Sequence, residues 1–238
     1  MPTKPAKPVQ KQRQPQSHVI CDTSASSSEK SYMLMNSIRS IAFFGYADAE
    51  PDTKLYQDAF STARLMAKQG LTIVDGGGPG VMAAATKGAQ SVGGETVAVT
   101  FYPKDAPGFE GRYVGNIATT EIVTRNYIER MHKLMEHGDA YIIFNGGTGT
   151  LSELGTAWVL ARLYFGHHKP FILFGDFWHD IVGVIKNNMM MRGNEENVLR
   201  IVNTPEEAVE ALRRFDYEMQ TLSHENCEVC KTIEKKTK

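Results

Sequence analysis

Two glycine-rich stretches and two charged side chains carry the chemistry-bearing pattern of this 238-residue chain. The first stretch, Gly76-Gly77-Gly78-Pro79-Gly80, follows the apolar run Leu71 to Val74 and the single Asp75. Four glycines in five residues exceed the needs of a tight turn, and they allow a ligand to approach the backbone closely. The second stretch, Gly146-Gly147-Thr148-Gly149-Thr150, follows the apolar run Tyr141 to Phe144 and leads into a helical pattern predicted from Leu151. Strand, glycine loop and helix together aim backbone N–H groups and a positive dipole end at an anion. Thr148 and Thr150 add hydroxyls, so a phosphate would meet both kinds of donor. Glu153 falls in the predicted first turn, where the dipole favours an ionised carboxylate. Arg130, on the preceding predicted helix, offers a planar guanidinium able to meet phosphate or orient a carboxylate. A carboxylate held beside an anion cradle points to chemistry on a phosphorylated substrate. Neither loop is a Walker A motif, because Gly-Lys-Ser/Thr is missing, and the GxGxxG dinucleotide fingerprint is absent.

The elements that must position these residues are legible from periodicity. Short apolar runs at residues 38–44, 71–74, 96–101, 121–123, 141–144, 171–174 and 198–202 read as strands. Helical spacing fills the intervals at 55–67, 81–91, 126–137, 151–164 and 177–188. A final helix starts at Thr204-Pro205-Glu206-Glu207, with an N-cap, Pro at the first helical position and a capping-box Glu. The alternation predicts an α/β fold: a doubly wound, Rossmann-like parallel sheet of about seven strands with helices on both faces. In such sheets ligands bind at the carboxyl ends of the strands, where both glycine loops fall. Tyr102 to Ala118, with two prolines and three glycines, reads as a long surface loop and a candidate lid. The helix from Leu151 to Phe165 is apolar nearly all round, which places it in a core or at a subunit interface.

Residues 1–36, rich in Pro, Lys, Gln and Ser, read as a disordered tail; 37–222 as a single nucleotide-binding domain; 223–238 as a frayed charged tail. A formal net charge of −1 gives no global basic field to draw nucleic acid or an anionic membrane surface. No apolar run approaches the roughly 20 residues that span a bilayer, and the N-terminus lacks the apolar core of a secretory signal. The three cysteines, Cys21, Cys227 and Cys230, lie in the predicted tails and fit a reducing cytoplasm. His224-x-x-Cys227-x-x-Cys230 lacks a second ligand pair and reads as incidental surface thiols rather than a zinc site. No metal cluster is evident and no cofactor is required.

The ordered combination of Gly76 to Met82 (Gly-Gly-Gly-Pro-Gly-x-Met), Arg130 and Gly146 to Glu153 (Gly-Gly-x-Gly-Thr-x-x-Glu) resembles the Lonely-guy family over about Ile38 to Phe215. Members of that family are nucleoside 5′-monophosphate phosphoribohydrolases, long labelled lysine decarboxylases. The resemblance implies that Arg130 and Glu153 are the catalytic pair. It further implies that Gly146, Gly147, Gly149 and Thr150, with Thr148 between them, bind the substrate phosphate. Gly76, Gly77, Gly78, Gly80 and Met82 would complete the nucleotide site, and the protein would be a homodimer with sites near the interface. The chain departs from the family pattern at Asn145, where Pro is usual, and at Tyr127-Ile128-Glu129-Arg130-Met131, where many members read Met-His-x-Arg-Lys. These departures leave the released base open. A different class, a non-catalytic carrier of nucleotide or molybdenum cofactor, shares the fold. Lysine decarboxylation would need a Schiff-base Lys, and the site region offers none.

Overall fold

The computed structural model describes residue 35 and residues 37–102, 112–163, 171–191 and 195–221. The predicted tails apart from residue 35, the three cysteines, most of the candidate lid and the end of the predicted 151–165 helix lie outside them.

Seven parallel strands form one sheet: β1 (Ser40–Phe44), β2 (Thr72–Asp75), β3 (Thr96–Phe101), β4 (Thr120–Thr124), β5 (Ala140–Ile143), β6 (Phe171–Phe174) and β7 (Leu199–Val202). Their spatial order is β4-β3-β2-β1-β5-β6-β7. The chain therefore winds outward from β1 in one direction, then returns to its other side with β5. That reversal makes the gap between the carboxyl ends of β1 and β5 the topological switch point. Register across it pairs Ile41 with Ala140 and Phe44 with Ile143.

Alternate side chains of each strand point to opposite faces, and the core divides accordingly. Ile41, Phe43, Ile142 and Phe144 face one layer, with α1 (Lys54–Lys68), α2 (Val81–Gln90) and α6 (Pro205–Thr221). Ala42, Phe44, Tyr141 and Ile143 face the other, with α3 (Tyr127–His137), α4 (Thr148–Leu163) and α5 (Trp178–Asn188). β1 and β5 are buried along their whole length, which explains why they read as unbroken apolar runs.

The helix starts follow their sequence signals. Asn126 caps α3 by accepting from the Glu129 N–H at 2.9 Å. Thr204 caps α6 by accepting from the Glu207 N–H at 3.2 Å, while the Glu207 carboxylate reaches back to the Asn203 N–H at 2.7 Å. The largest boundary difference from expectation is at the start of α4. α4 begins at Thr148 rather than Leu151, because the Leu151 N–H already bonds back to the Gly147 carbonyl at 3.1 Å. Thr148, Gly149 and Thr150 are poor helix formers, yet here they open the first turn, with Gly147 just before it.

Leu154, Ala157, Trp158 and Ala161 of α4 are buried against the sheet, whereas Leu151, Val159 and Leu163 are about half exposed. The helix is thus buried on one side only. Its open flank borders a groove of about 330 Å³ that also involves Ile185, Met189 and Met190. No helix among the described residues is long and apolar enough to cross a membrane.

Candidate functional site

The cavity at the switch point has a volume of about 280 Å³. One wall is the turn after β1, from Phe44 to Asp48; the opposite wall is the first turn of α4. Main-chain bonds hold these loops together. The Tyr46 N–H donates to the Asn145 carbonyl at 2.8 Å, and the Val81 N–H donates to the Tyr46 carbonyl at 3.0 Å. At the start of α4 the amides of Thr148, Gly149 and Thr150 precede the first intrahelical bond, so they have no acceptor within the helix. With the Thr148 and Thr150 hydroxyls they form a cradle suited to a phosphate, reinforced by the dipole.

Arg130 rises from α3 to the cavity floor with 5% of its surface exposed. Its Nη2 and Nε donate to the Gly76 carbonyl at 2.9 and 3.3 Å, and Nε also donates to the Val99 carbonyl at 3.0 Å. Bonds to two backbone carbonyls hold the guanidinium in this position. Gly76 is required for this seat, since a Cβ there would lie 1.6 Å from Arg130 Nη2. Arg130 is therefore not the solvated helix residue that its neighbours in sequence would suggest.

Glu153 is the sixth residue of α4, one turn deeper than predicted, and no acidic residue occupies the first turn. It is 8% exposed and lines the cavity. Burial pushes its carboxyl up to about 7, an effect only partly offset by the charge of Arg130. This corrects the expectation of a carboxylate whose ionised form the dipole favours: at this depth burial acts the other way and raises it. Arg130 is in turn pushed downward by its own burial and held up by Glu153, Tyr127 and Asp75. Among the described residues no ion pair joins Arg130 to Glu153; they act on each other through the cavity.

Of the residues singled out from sequence, Met82, Arg130, Gly147, Thr148, Gly149, Thr150 and Glu153 all line this one cavity. Gly146 stands just behind the wall, where a Cβ would meet Thr150 Oγ1 at 2.2 Å. Gly76, Gly77, Gly78 and Gly80 are buried and do not line it. Gly80 has φ of 60°, and a Cβ there would meet the Tyr46 and Ala47 carbonyls at 2.3 and 2.4 Å. The N-terminus of α2 is thus closed by the turn after β1, while that of α4 stays open. Sequence reasoning missed Tyr46, Ala47, Asp48 and Tyr127, which with Phe44 and Gly45 complete the lining. The switch-point rule, applied to the strand before each crossover, would have found the first three.

The same architecture occurs in the solved structure of the molybdenum cofactor binding protein from the phototrophic bacterium Rippkaea orientalis. That match has a TM-score of 0.56 and 23% identity, covering 75% of this chain and 97% of that one. It places the chain among Rossmann-like proteins by fold alone. The family is given by sequence: residues 38–209 match the model of the SLOG cluster4 family, and the chain belongs to it, within the Lonely-guy-like proteins. Two relatives are named cytokinin riboside 5′-monophosphate phosphoribohydrolase. The one from Mycobacterium tuberculosis is 34% identical over 137 residues, 56% of this chain and 70% of the relative. The one from Mycobacterium marinum is 32% identical over 139 residues, 58% of this chain and 71% of the relative.

Proposed function

We propose that the protein hydrolyses the N-glycosidic bond of a nucleoside 5′-monophosphate, of the AMP or cytokinin riboside monophosphate type, to free base and ribose 5-phosphate. The observation that carries this reading is a buried carboxylate in the same small cavity as an open helix N-terminus. Glu153 lies five residues beyond Thr148, about 7.5 Å along the helix axis at 1.5 Å per residue. A ribose separates its 5′-phosphate from its anomeric carbon by a distance of that order. The phosphate would rest on the amides of Thr148, Gly149 and Thr150, leaving C1′ beside Glu153. The named activity of the mycobacterial relatives supports the same assignment.

In the reaction, the C1′–N bond breaks with its electron pair moving to the base, which takes up a proton from solvent, balanced by the proton that Glu153 later returns to solvent. Positive charge develops on the ribose ring, and an ionised Glu153 stabilises it. Water adds to C1′ and releases its proton to the Glu153 carboxylate. A group whose protonation is balanced near neutrality suits both tasks. Arg130, fixed by the Gly76 and Val99 carbonyls, holds a positive charge that keeps Glu153 from drifting further upward. Binding energy at the phosphate, remote from the bond that breaks, orients the sugar for attack.

The test is incubation with AMP and other monophosphates, followed by chromatography for free base. Glu153→Gln should bind nucleotide and release none. Undiminished release by that variant removes Glu153 from the mechanism; tight nucleotide or pterin binding without any base release favours a carrier instead. We further propose a cytoplasmic homodimer in which a second copy covers the exposed flank of α4. Sedimentation of the full chain, expected at twice the monomer mass, tests that arrangement.

A further inference from the structure

Asp75, at the carboxyl end of β2, is fully buried and has no part in the reaction described above. Its carboxylate is held by three donors. Oδ1 accepts from the Gly77 N–H at 2.7 Å and from Asn116 Nδ2 at 3.0 Å, and Oδ2 accepts from the Thr86 hydroxyl at 2.5 Å. Asn116 Nδ2 also donates to the Gly78 carbonyl at 3.0 Å. Burial pushes Asp75 up to about 6, against the lowering effect of Thr86, Gly77, Asn116 and Arg130. A carboxylate kept at such cost near a reactive site calls for a role.

The role follows from one peptide group. The N–H of Gly77 and the C=O of Gly76 belong to the same planar unit, whose six atoms turn together. Its N–H is bound by Asp75, and its C=O is the oxygen on which Arg130 is anchored through both Nη2 and Nε. Carboxylate, peptide and guanidinium thus form one hydrogen-bonded chain, with an anion at one end and a cation at the other. Each bond in such a chain polarises the next in the same sense. Rotating the peptide away from Asp75 would withdraw the carbonyl from Arg130.

We propose that Asp75 is a positioning residue for Arg130, acting through the Gly76–Gly77 peptide. The kinetic part of the test rests on the hydrolysis proposed above, so the primary readout is independent of it. The Arg130 Nε–H resonance, assigned by its loss in Arg130→Lys, is followed by ¹⁵N NMR on the full chain from about pH 5 to 8. The groups whose charge acts on Arg130 are Glu153 from α4, Tyr127 from α3 and Asp75 from β2. A Glu153→Gln background leaves Asp75 as the carboxylate of that set. The resonance should then move with a midpoint near 6. Asp75→Asn, which keeps an acceptor for Gly77, should abolish that movement. Asp75→Ala should shift and broaden the resonance at every pH. Should Asp75→Ala not fold, Thr86→Val serves instead: loss of the strongest bond to the carboxylate should move the midpoint to higher pH. An unchanged titration in Asp75→Asn or Thr86→Val, or an unaltered resonance in Asp75→Ala, overturns the proposal. With Glu153 restored, folded Asp75→Ala should lose about tenfold or more in kcat with little change in KM, and Asp75→Asn should recover most of it. Full kcat in Asp75→Ala also overturns it. If the wild-type chain releases no base, the hydrolysis falls while the resonance still decides the role of Asp75.

Discussion

Replacing Glu153 by Gln should stabilise the protein, and only above mildly acidic pH. The carboxyl ionises at its ordinary 4.5 in the unfolded chain and at about 7 in the fold, because burial disfavours its charge. Between those values the folded state binds more protons than the unfolded one, so stability falls as pH rises through the window. The protonated side chain imposes no penalty below about 4.5, and the full penalty is present above about 7. At about 1.4 kcal/mol per pH unit, the difference between 4.5 and about 7 amounts to about 3 kcal/mol. Gln has the shape of the acid without its charge, so the variant should regain most of that amount. Urea denaturation of wild type and Glu153→Gln at about pH 4 and pH 8 measures it by linear extrapolation. Near pH 4 the midpoints should coincide. Near pH 8 the variant should be more stable by up to about 3 kcal/mol, roughly 6–12 °C in Tm for a domain of this size. Asp75 contributes equally to both proteins and cancels. A variant that is no more stable at pH 8, or equally more stable at both pH values, would refute the view that desolvation governs Glu153.

If ionised Glu153 is the working form, wild-type kcat/KM for AMP should rise with pH through a midpoint near 7, measured by base release over buffers of constant ionic strength. Gly76→Ala should fold normally, as judged by circular dichroism, because the added Cβ meets the movable end of Arg130. It should nevertheless lose about 100-fold in base release, the order expected when a catalytic group moves by about 1 Å. Adenosine, which lacks the phosphate, should be hydrolysed at least about 100-fold less efficiently than AMP; equal efficiency would deny the α4 cradle its ligand. Thr204→Ala removes the α6 N-cap, and denaturant titration should show a loss of about 1 kcal/mol without any change in activity.

Strand and helix existence was legible because the sheet is parallel and covered on both faces, so each central strand appears as an unbroken apolar run. The α6 start was legible to the residue because a capping box is a local signal. The α4 start was not. Gly147 to Thr150 have weak helix propensity, and the turn is set by the Leu151 N–H bond to Gly147 beside a loop tied through Tyr46 and Asn145, partners that periodicity does not reveal. The three-residue displacement matters, because it moves Glu153 from the helix terminus into the interior and reverses the direction in which its environment acts. Arg130 illustrates a second limit. Its burial depends on a carbonyl 54 positions away in sequence and on the missing side chain of Gly76, neither of which spacing along α3 reveals. The glycines of the first loop stood out by type, but type alone does not separate a backbone that makes room for a ligand from one that makes room for an arginine.

The turn after β1 is secured by its own main chain: Tyr46 offers its N–H to Asn145 and its carbonyl to Val81. Neither bond depends on which side chain stands at positions 46, 47 or 48. Those three residues border the same cavity as the first turn of α4. The scaffold therefore separates two kinds of evolutionary constraint. Changes at Gly76, Arg130 or Glu153 disturb the buried floor of the cavity, while exchanges at Ala47 and Asp48 can reshape its rim with the main-chain bonds still in place. A lineage built on this frame can vary the mouth of its cavity without rebuilding the floor.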